Sequence, residues 1–199
     1  MDIIKKHEQI AETKAALRKE LRSKRRALEA AKVASASKEV CEKLVELKAF
    51  SEAGLILAYM ASKNELDVSF AVDRAIELGK RVAFPLCLDN GGLKLLVPND
   101  KSAFSVGSYY GILEPDPARS AEVQPEELEL IIAPAVAFDR ECRRLGQGGG
   151  YYDRLFKKAH CFTVGVGYDF QLIDELPVEK HDIALDAVLL PSLTLENRR

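Results

Sequence analysis

Hydrophobic residues recur at helical spacing along the first 29 positions of the chain, with polar residues between them. This amphipathic pattern predicts one long helix over residues 3–29. A similar pattern over residues 33–47 predicts a second helix. The apolar stripe of the first helix consists of Ile10, Leu17, Leu21 and Leu28.

From residue 55 onward, short apolar runs alternate with helical patterns. Residues 55–59 are typical of a buried strand, and residues 81–85 of a second one. Between them, residues 68–78 have a helical pattern that ends at Gly79, a residue favoured just beyond a helix C-terminus. The strand–helix–strand order indicates an α/β protein with a parallel crossover.

The next segments predict a hairpin, a surface excursion and a central strand. Asp89-Asn90-Gly91-Gly92 is a strong turn signal, and residues 93–97 follow it as a strand. Residues 98–127 are rich in Pro, Ser and acids, so we expect them to run over the surface. Residues 130–137 form the most apolar run and predict a central strand that ends or bends at Pro134.

Two further apolar runs complete the pattern. Residues 162–166 predict a strand, and residues 187–190 predict the last strand of the chain. Together the elements predict a single three-layer α/β/α domain over residues 1–199, with a mostly parallel central sheet and a long N-terminal helix.

Composition and charge exclude several classes of protein. The 199 residues are 47% hydrophobic and 30% charged, with a net charge of −2, which is ordinary globular composition without a drive toward nucleic acid or membranes. No apolar run resembles a membrane span or a signal peptide. Four widely spaced cysteines form no CxxC pair, so we expect reduced thiols in a cytoplasmic protein. The pattern shows no long apolar heptad on a surface, and a monomer is expected.

The polar face of the first helix is strongly basic, with Lys14 and Arg18 one turn apart on the same side. Three interpretations are open. The face is solvated, or it forms a nucleic-acid arm, or it delivers one or two cations to a phosphate-bearing ligand. Aromatic residues do not interleave with the charges, which disfavours the nucleic-acid arm. The basic residues of this face are Lys14, Arg18, Lys19, Arg22, Lys24, Arg25 and Arg26.

The strongest chemical signal is a glycine-rich stretch within residues 143–154. Four of its glycines fall within five positions, with two arginines before them and two tyrosines, an aspartate and an arginine after them. Residues 151–158 read as a helix. A glycine-rich loop that opens a helix can direct backbone N–H groups and the helix dipole at an anion. The stretch therefore indicates a phosphate-binding loop.

Two familiar phosphate loops do not fit this stretch. The Walker A pattern needs Lys followed by Ser or Thr after the last glycine, but Tyr151 follows Gly150. The dinucleotide pattern fails because Tyr151 occupies its last glycine position, and because the loop starts about nine residues after the strand. A flexible turn is the remaining structural alternative. It leaves the crowding of Arg143, Arg144 and Arg154 around two tyrosines and Asp153 unexplained, so nucleotide binding is favoured.

The stretch from Arg144 to Arg154 resembles the signature of the 5-formyltetrahydrofolate cyclo-ligase family, also called 5,10-methenyltetrahydrofolate synthetases. The resemblance extends over nearly the whole chain. Outside the loop it includes Lys14 and Arg18, Glu65, Phe84-Pro85, Phe138-Asp139 and the segment His181-Asp182-Ile183-Ala184-Leu185-Asp186. One departure is visible, because Val68 follows Asp67 where the family commonly has Thr, and this weakens the substrate-pocket assignment most.

The resemblance implies an ATP- and Mg²⁺-dependent enzyme that converts 5-formyltetrahydrofolate to 5,10-methenyltetrahydrofolate, with ADP and phosphate as products. Phosphorylation of the formyl oxygen would turn a poor leaving group into a good one, and N10 would then attack the same carbon. Such phosphoryl transfer requires mainly positioning and charge neutralisation from the protein. The expected partner is this small-molecule substrate, with neither nucleic acid nor membrane.

The resemblance also implies roles for individual residues. Lys14 and Arg18 would reach the ATP phosphates, Met60 and Glu65 would contact the folate, and Asp153 and Asp186 would be the Mg²⁺ carboxylates. Arg144 and Tyr151 would act in catalysis. The residues that would wrap the nucleotide are Arg144, Leu145, Gly146, Gln147, Gly148, Gly149, Gly150, Tyr151 and Tyr152, of which Gln147 to Tyr151 would also border the folate.

Each of these roles has a plainer structural alternative. Asp186 could be a solvent-facing residue at a strand start, Glu65 could be an acid near a helix N-terminus, and Met60 could be a core residue. Two other functions also remain open. One is a relative that binds ATP or folate without cyclising it, and the other is a nucleic-acid-binding module built on the basic helix.

Overall fold

The computed structural model describes residues 3–88, 92–107, 113–177 and 182–197. Within these residues the helices are α1 (Ile3–Arg26), α2 (Ala30–Glu46), α3 (Lys48–Glu52), α4 (Ser69–Glu77) and α5 (Tyr151–Phe156). The strands are β1 (Leu55–Leu57), β2 (Arg81–Cys87), β3 (Leu93–Pro98), β4 (Phe104–Val106), β5 (Leu113–Pro115), β6 (Ser120–Val123), β7 (Leu130–Pro134), β8 (Ala137–Phe138), β9 (Arg144–Leu145), β10 (Phe162–Val166), β11 (Ala187–Leu189) and β12 (Thr194–Glu196).

One large sheet organises the fold. In the described part of the chain its strand order is β12-β11-β10-β7-β1-β2-β3-β6. The inner strands from β11 to β2 are parallel, whereas β12 pairs antiparallel at one edge and β3 and β6 pair antiparallel at the other. The predicted mostly parallel sheet is confirmed.

The central strands are buried on both faces, which produces the layered architecture. Along β7, Leu130 and Ile132 join a core with α2 and α4, while Ile131 and Ala133 join a second core with α5 on the other face. Successive side chains of a strand point to opposite faces, so a continuous apolar run places residues in both cores. The α/β class and the layered arrangement follow from this pattern.

Several predicted boundaries are confirmed. Strand β7 ends at Pro134, and the helical pattern before Gly79 ends as α4 with Gly79 at a φ of 75°. On α1, Leu21 is buried, and Leu17 packs beside it against the region around Val136. Strands β2 and β3 form the predicted antiparallel pair, although turn residues 89–91 lie outside the described residues.

Two predictions were wrong. Residues 98–127 do not simply run over the surface, because they contain β4, β5 and β6, and β6 joins the main sheet. The segment 187–190 is not the last strand, because β12 follows it and pairs with β11. Both missed sheet strands are edge strands with few buried residues, so neither carries the apolar pattern that identifies a central strand. No helix among the described residues is both long and apolar enough to cross a membrane.

Candidate active site

The glycine loop lies beyond the carboxyl end of β7. After β7 the chain forms the small β8–β9 hairpin, passes through residues 146–150 and enters α5. Gly148 and Gly150 have φ angles of 107° and 65°, in the region that residues with a Cβ rarely adopt. The backbone conformation of the loop therefore depends on glycine. Helix α5 ends at Phe156, earlier than the predicted residue 158, so its dipole is that of a short helix.

The two arginines before the glycines have different partners. Arg143 turns back to Asp139, a carboxylate with no exposed surface, and its Nε lies 2.6 Å from Oδ2. Asp139 also accepts hydrogen bonds from the backbone N–H groups of Glu141, Arg143 and Leu176. This pair stabilises the β8–β9 turn, so Arg143 has a structural role. Of the two arginines, Arg144 is the one that contacts the residues of the loop and α5.

Arg144 is buried beneath the loop. Its side chain is 4% exposed, and its Nη2 donates to Oδ1 of Asp153 at 2.8 Å. The guanidinium carbon lies 5.2 Å from the Tyr152 ring centre and 5.1 Å from that of Phe156, within cation–π range. Burial lowers the pKa of Arg144, while the Asp153 carboxylate opposes that shift. An arginine remains charged even so, and the site holds a fixed cation.

Helix α1 delivers a row of cations to the same region. Arg18 Nε donates to the carbonyl oxygen of Gly146 at 2.9 Å, and Arg22 Nη2 donates to that of Gln147 at 3.1 Å. Lys14 pairs with Asp182 at 2.9 Å. These residues lie four positions apart, so they share one helix face. Burial lowers the pKa of Arg18, and the neighbouring Arg22 adds to the effect.

The cations of α1 also line a shallow cavity of about 310 Å³ beside the loop. Its lining contains four basic residues and no carboxylate. Such a concentration of like charge attracts anions. The lining residues are Ala15, Arg18, Lys19, Arg22, Arg26 and Gln147.

The loop after β1 brings Glu65 to the site. Glu65 Oε1 lies 2.8 Å from Arg25 Nη1 and 3.4 Å from Gln147 Nε2, and Oε2 accepts the Ser62 backbone N–H at 3.0 Å. Glu65 thus links the glycine loop to the last turn of α1. Met60, at the start of this loop, is partly buried against the core on the α2 side of the sheet.

Comparisons with known proteins indicate the family of this chain. The model of the 5-formyltetrahydrofolate cyclo-ligase family matches residues 10–191. The chain belongs to the 5-formyltetrahydrofolate cyclo-ligase family. The 5-formyltetrahydrofolate cyclo-ligase of Escherichia coli K12 is 32% identical over 181 residues, covering 88% of this chain and 99% of that protein. A probable 5-formyltetrahydrofolate cyclo-ligase of Schizosaccharomyces pombe is 31% identical over 179 residues, covering 82% of this chain and 87% of that one.

Solved structures of the family have the same fold. The NMR structure of Aquifex aeolicus 5,10-methenyltetrahydrofolate synthetase superposes with a TM-score of 0.82 at 31% identity, covering 94% of this chain and 93% of that one. A Mycoplasma pneumoniae 5,10-methenyltetrahydrofolate synthetase superposes with a TM-score of 0.73 at 24% identity, covering 88% and 97%, which supports the fold.

Most of the residues predicted from the cyclo-ligase resemblance lie in one region. Arg18 contacts the loop from α1, and Lys14, one turn earlier, pairs with Asp182. Arg144 and Asp153 meet beneath the loop, and Glu65 contacts Gln147. The guanidinium carbon of Arg154 lies 5.2 Å from the centre of the Tyr151 ring. The hydroxyl of Tyr152 is buried without a protein hydrogen-bond partner in the described part of the chain, and burial raises its pKa.

Asp186 is the exception among the predicted residues. Its Oδ2 accepts the backbone N–H and the hydroxyl of Thr163, each at 2.8 Å, at the amino ends of β10 and β11. The glycine loop follows the carboxyl end of β7, which in parallel strands is the opposite edge of the sheet. The assignment of Mg²⁺ to Asp153 and Asp186 stays a prediction, and the position of Asp186 beside Thr163 makes a second aspartate of the same segment an alternative ligand.

The alternative is Asp182, whose Oδ2 pairs with Lys14 Nζ at 2.9 Å. Burial lowers the pKa of both Arg18 and Arg144, and the carboxylates of Asp153 and Asp182 oppose that shift. Both acids thus act on the same two guanidinium groups. The sequence contained Asp182 within the family segment but offered no local signal to choose it over Asp186. His181, from the same segment, lies outside the described residues.

Arg22 and Arg25 are further site residues that the sequence reasoning did not assign. They continue the helix face of Lys14 and Arg18 at spacings of four and three residues. That periodicity could have identified them. What the periodicity could not show is which partner each arginine would have.

Proposed function

We propose that this chain catalyses the ATP-dependent cyclisation of 5-formyltetrahydrofolate to 5,10-methenyltetrahydrofolate, with release of ADP and phosphate. The single observation that carries the proposal is the contact between Gln147 and Glu65. The glycine loop would hold the nucleotide and Glu65 would hold the folate. Their contact supports an arrangement in which the two substrates would bind side by side, as direct phosphoryl transfer requires.

The charges of the site suit the phosphates. Lys14 and Arg18 approach from α1, and buried Arg144 lies beneath the loop, so cations surround the region from two sides. In a site that is shielded from water, fixed cations stabilise developing negative charge without having to reorganise. We infer that Arg144 stabilises the transferring phosphoryl group, with Tyr151 bordering both substrates.

The reaction proceeds in two chemical steps. The formyl oxygen attacks the terminal phosphorus, the bond to ADP breaks, and the formyl carbon becomes electrophilic. N10 then attacks that carbon and loses its proton, and the carbon–oxygen bond breaks to release phosphate. In both steps the chain binds, orients and neutralises charge.

The carboxylates of the site also suit a magnesium ion. We propose Asp153 as one protein ligand and Asp186, as the resemblance implies, as the second, with Asp182 as the alternative to Asp186. Mg²⁺ usually takes one or two carboxylates together with phosphate oxygens and water. When bound, the ion would neutralise phosphate charge.

The remaining features of the proposal concern the substrate pocket and the cellular setting. Glu65 would accept hydrogen bonds from the donor-rich edge of the pterin ring, and Met60 would line the pocket.

We propose that the protein is a cytoplasmic monomer. Its four free cysteines support a reducing compartment such as the cytoplasm. The basic face of α1 contacts the glycine loop and the Glu65 loop, which favours a role in this site over a nucleic-acid-binding role. The residues that make these contacts are Arg18, Arg22 and Arg25.

The test combines the protein with 5-formyltetrahydrofolate, ATP and Mg²⁺ and follows methenyl absorbance. We expect turnover that depends on ATP and is absent when a non-hydrolysable analogue replaces it. A folded protein that gives no signal across a range of pH and metal conditions would contradict the proposal. Binding of ATP or folate without turnover would instead favour the non-cyclising relative.

A further inference from the structure

The last turn of α1 and the loop that carries Glu65 are tied together. Asn64 has a left-handed φ of 58°, and its Nδ2 donates to the carbonyl oxygens of Arg25, Arg26 and Leu28 at 3.1–3.2 Å. These carbonyls lie in the last turn of α1 and just beyond it, where a helix leaves its last carbonyl oxygens without helical partners, and that of Arg25 also accepts the Leu28 N–H at 3.2 Å. Asn64 thus caps α1 from a distant part of the chain and fixes the distance between Arg25 and Glu65.

Arg25 and Glu65 form a shielded ion pair. Their side chains are each 11% exposed, and Nη1 lies 2.8 Å from Oε1. A carboxylate that is removed from water is held in place by a nearby cation and by hydrogen-bond donors. Arg25 supplies the cation and the Ser62 N–H supplies a donor. An ionised carboxylate accepts about four hydrogen bonds, so Glu65 retains capacity for a ligand.

The cations of α1 divide their contacts between two regions. Arg18 and Arg22 bond to carbonyl oxygens of the glycine loop, where the phosphates would bind. Arg25, one turn farther along the helix, bonds to Glu65. A change at Arg25 should therefore affect the folate side of the site more than the nucleotide side.

We propose that Arg25 is a positioning residue that holds the Glu65 carboxylate in place and oriented for the folate, and that it acts through Glu65. This inference rests on the proposed function. It assigns a specificity role to the C-terminal turn of α1, beyond the contacts of Lys14 and Arg18 with the nucleotide.

The experiment compares the wild-type chain with Arg25→Met, Glu65→Gln, the double variant and Lys24→Met. For each protein the KM for 5-formyltetrahydrofolate, the KM for ATP and the melting temperature are measured. Lys24→Met is the matched control, since Lys24 lies on the same turn, is 54% exposed and forms an ion pair with Glu20 on the helix surface. We expect Arg25→Met to raise the KM for folate by about tenfold or more, the scale of one charged hydrogen bond. The KM for ATP should stay close to its wild-type value.

The double variant separates positioning from simple stabilisation. Replacing both partners leaves no unpaired buried charge, so this protein should fold even if Arg25→Met does not. If Arg25 acts through Glu65, adding Arg25→Met to Glu65→Gln leaves the KM for folate unchanged. A further rise of similar size in the Glu65→Gln background would overturn the proposal. So would equal changes in both KM values for Arg25→Met.

The controls distinguish this inference from the proposed function. Wild-type turnover together with an unchanged folate KM in Arg25→Met would overturn the inference alone. A wild-type protein without turnover would overturn both. A large effect in Lys24→Met would show that helix charge, and not the pair with Glu65, controls folate binding, and would also overturn the inference.

Discussion

Arg144 and Asp153 meet beneath the glycine loop, with Nη2 and Oδ1 2.8 Å apart. The pair joins the strand that enters the loop to the first turn of the helix that leaves it. It therefore closes the loop at its base and places a buried cation and a partly exposed carboxylate at one point. Both substrates of the proposed reaction would lie next to this point.

Replacing Arg144 by Met should remove the buried cation. We expect turnover to fall by about 10²–10³-fold, the usual loss when one fixed electrostatic donor is removed from an active site. The free energy of unfolding should also fall, by about 1–3 kcal/mol, because Asp153 loses a charged hydrogen bond. Steady-state kinetics and urea unfolding measure the two effects. Arg140→Met, at an exposed position of the same hairpin, is the control and should change neither.

The two aspartates of the C-terminal segment should respond differently to loss of charge. Asp182→Asn should raise the Mg²⁺ concentration for half-maximal turnover by about tenfold if Asp182 replaces Asp186 as the metal carboxylate. Asp186→Asn should leave that concentration unchanged but lower the free energy of unfolding by about 1–3 kcal/mol, because it weakens two hydrogen bonds from Thr163. If the Mg²⁺ concentration for half-maximal turnover shifts for Asp186→Asn and not for Asp182→Asn, Asp186 is the metal ligand and Asp182 is not.

Gly150→Ala should destabilise the loop. The φ of 65° disfavours any residue with a Cβ by about 1–2 kcal/mol. An added Cβ would also lie 2.8 Å from Arg154 Nη1, a flexible side-chain end that can move. Gly54→Ala is the matched control, because its Cβ would lie 3.7 Å from the Glu129 carboxylate, an ordinary contact. Equal melting temperatures for the two variants would contradict the strained conformation.

The buried thiols should make the protein sensitive to alkali. Burial raises the pKa of Cys41 and Cys142 from 9.0 to about 11. Between these values the unfolded chain has lost protons that the folded chain retains. Stability is therefore full below pH 9 and falls as the pH rises toward 11. Melting temperatures measured across this range should decline, and a Cys41→Ala, Cys142→Ala double variant should decline less. Parallel curves for the two proteins would show that other groups cause the effect.

The sequence alone determined the elements whose signal is local. The stripe of Leu17 and Leu21 predicted α1, the apolar run predicted β7 with its end at Pro134, and the glycine cluster predicted a loop in which Gly148 and Gly150 adopt positive φ. Helix periodicity, strand burial and glycine geometry act over a few residues, so they are readable without a fold. The one-turn spacing of Lys14 and Arg18 likewise placed both on the face that meets the loop.

Only the tertiary structure decided the partners of these residues. Arg25 meets Glu65 across 40 positions of sequence, and Lys14 meets Asp182 across 168. Nothing local distinguished Asp182 from Asp186, because the difference depends on which edge of the sheet each reaches as the chain enters β11. The polar edge strands β6 and β12 also acquire their pairing from their neighbours. A charged side chain or an edge strand takes the partner that the packed sheet brings to it, and that packing depends on contacts from the whole chain.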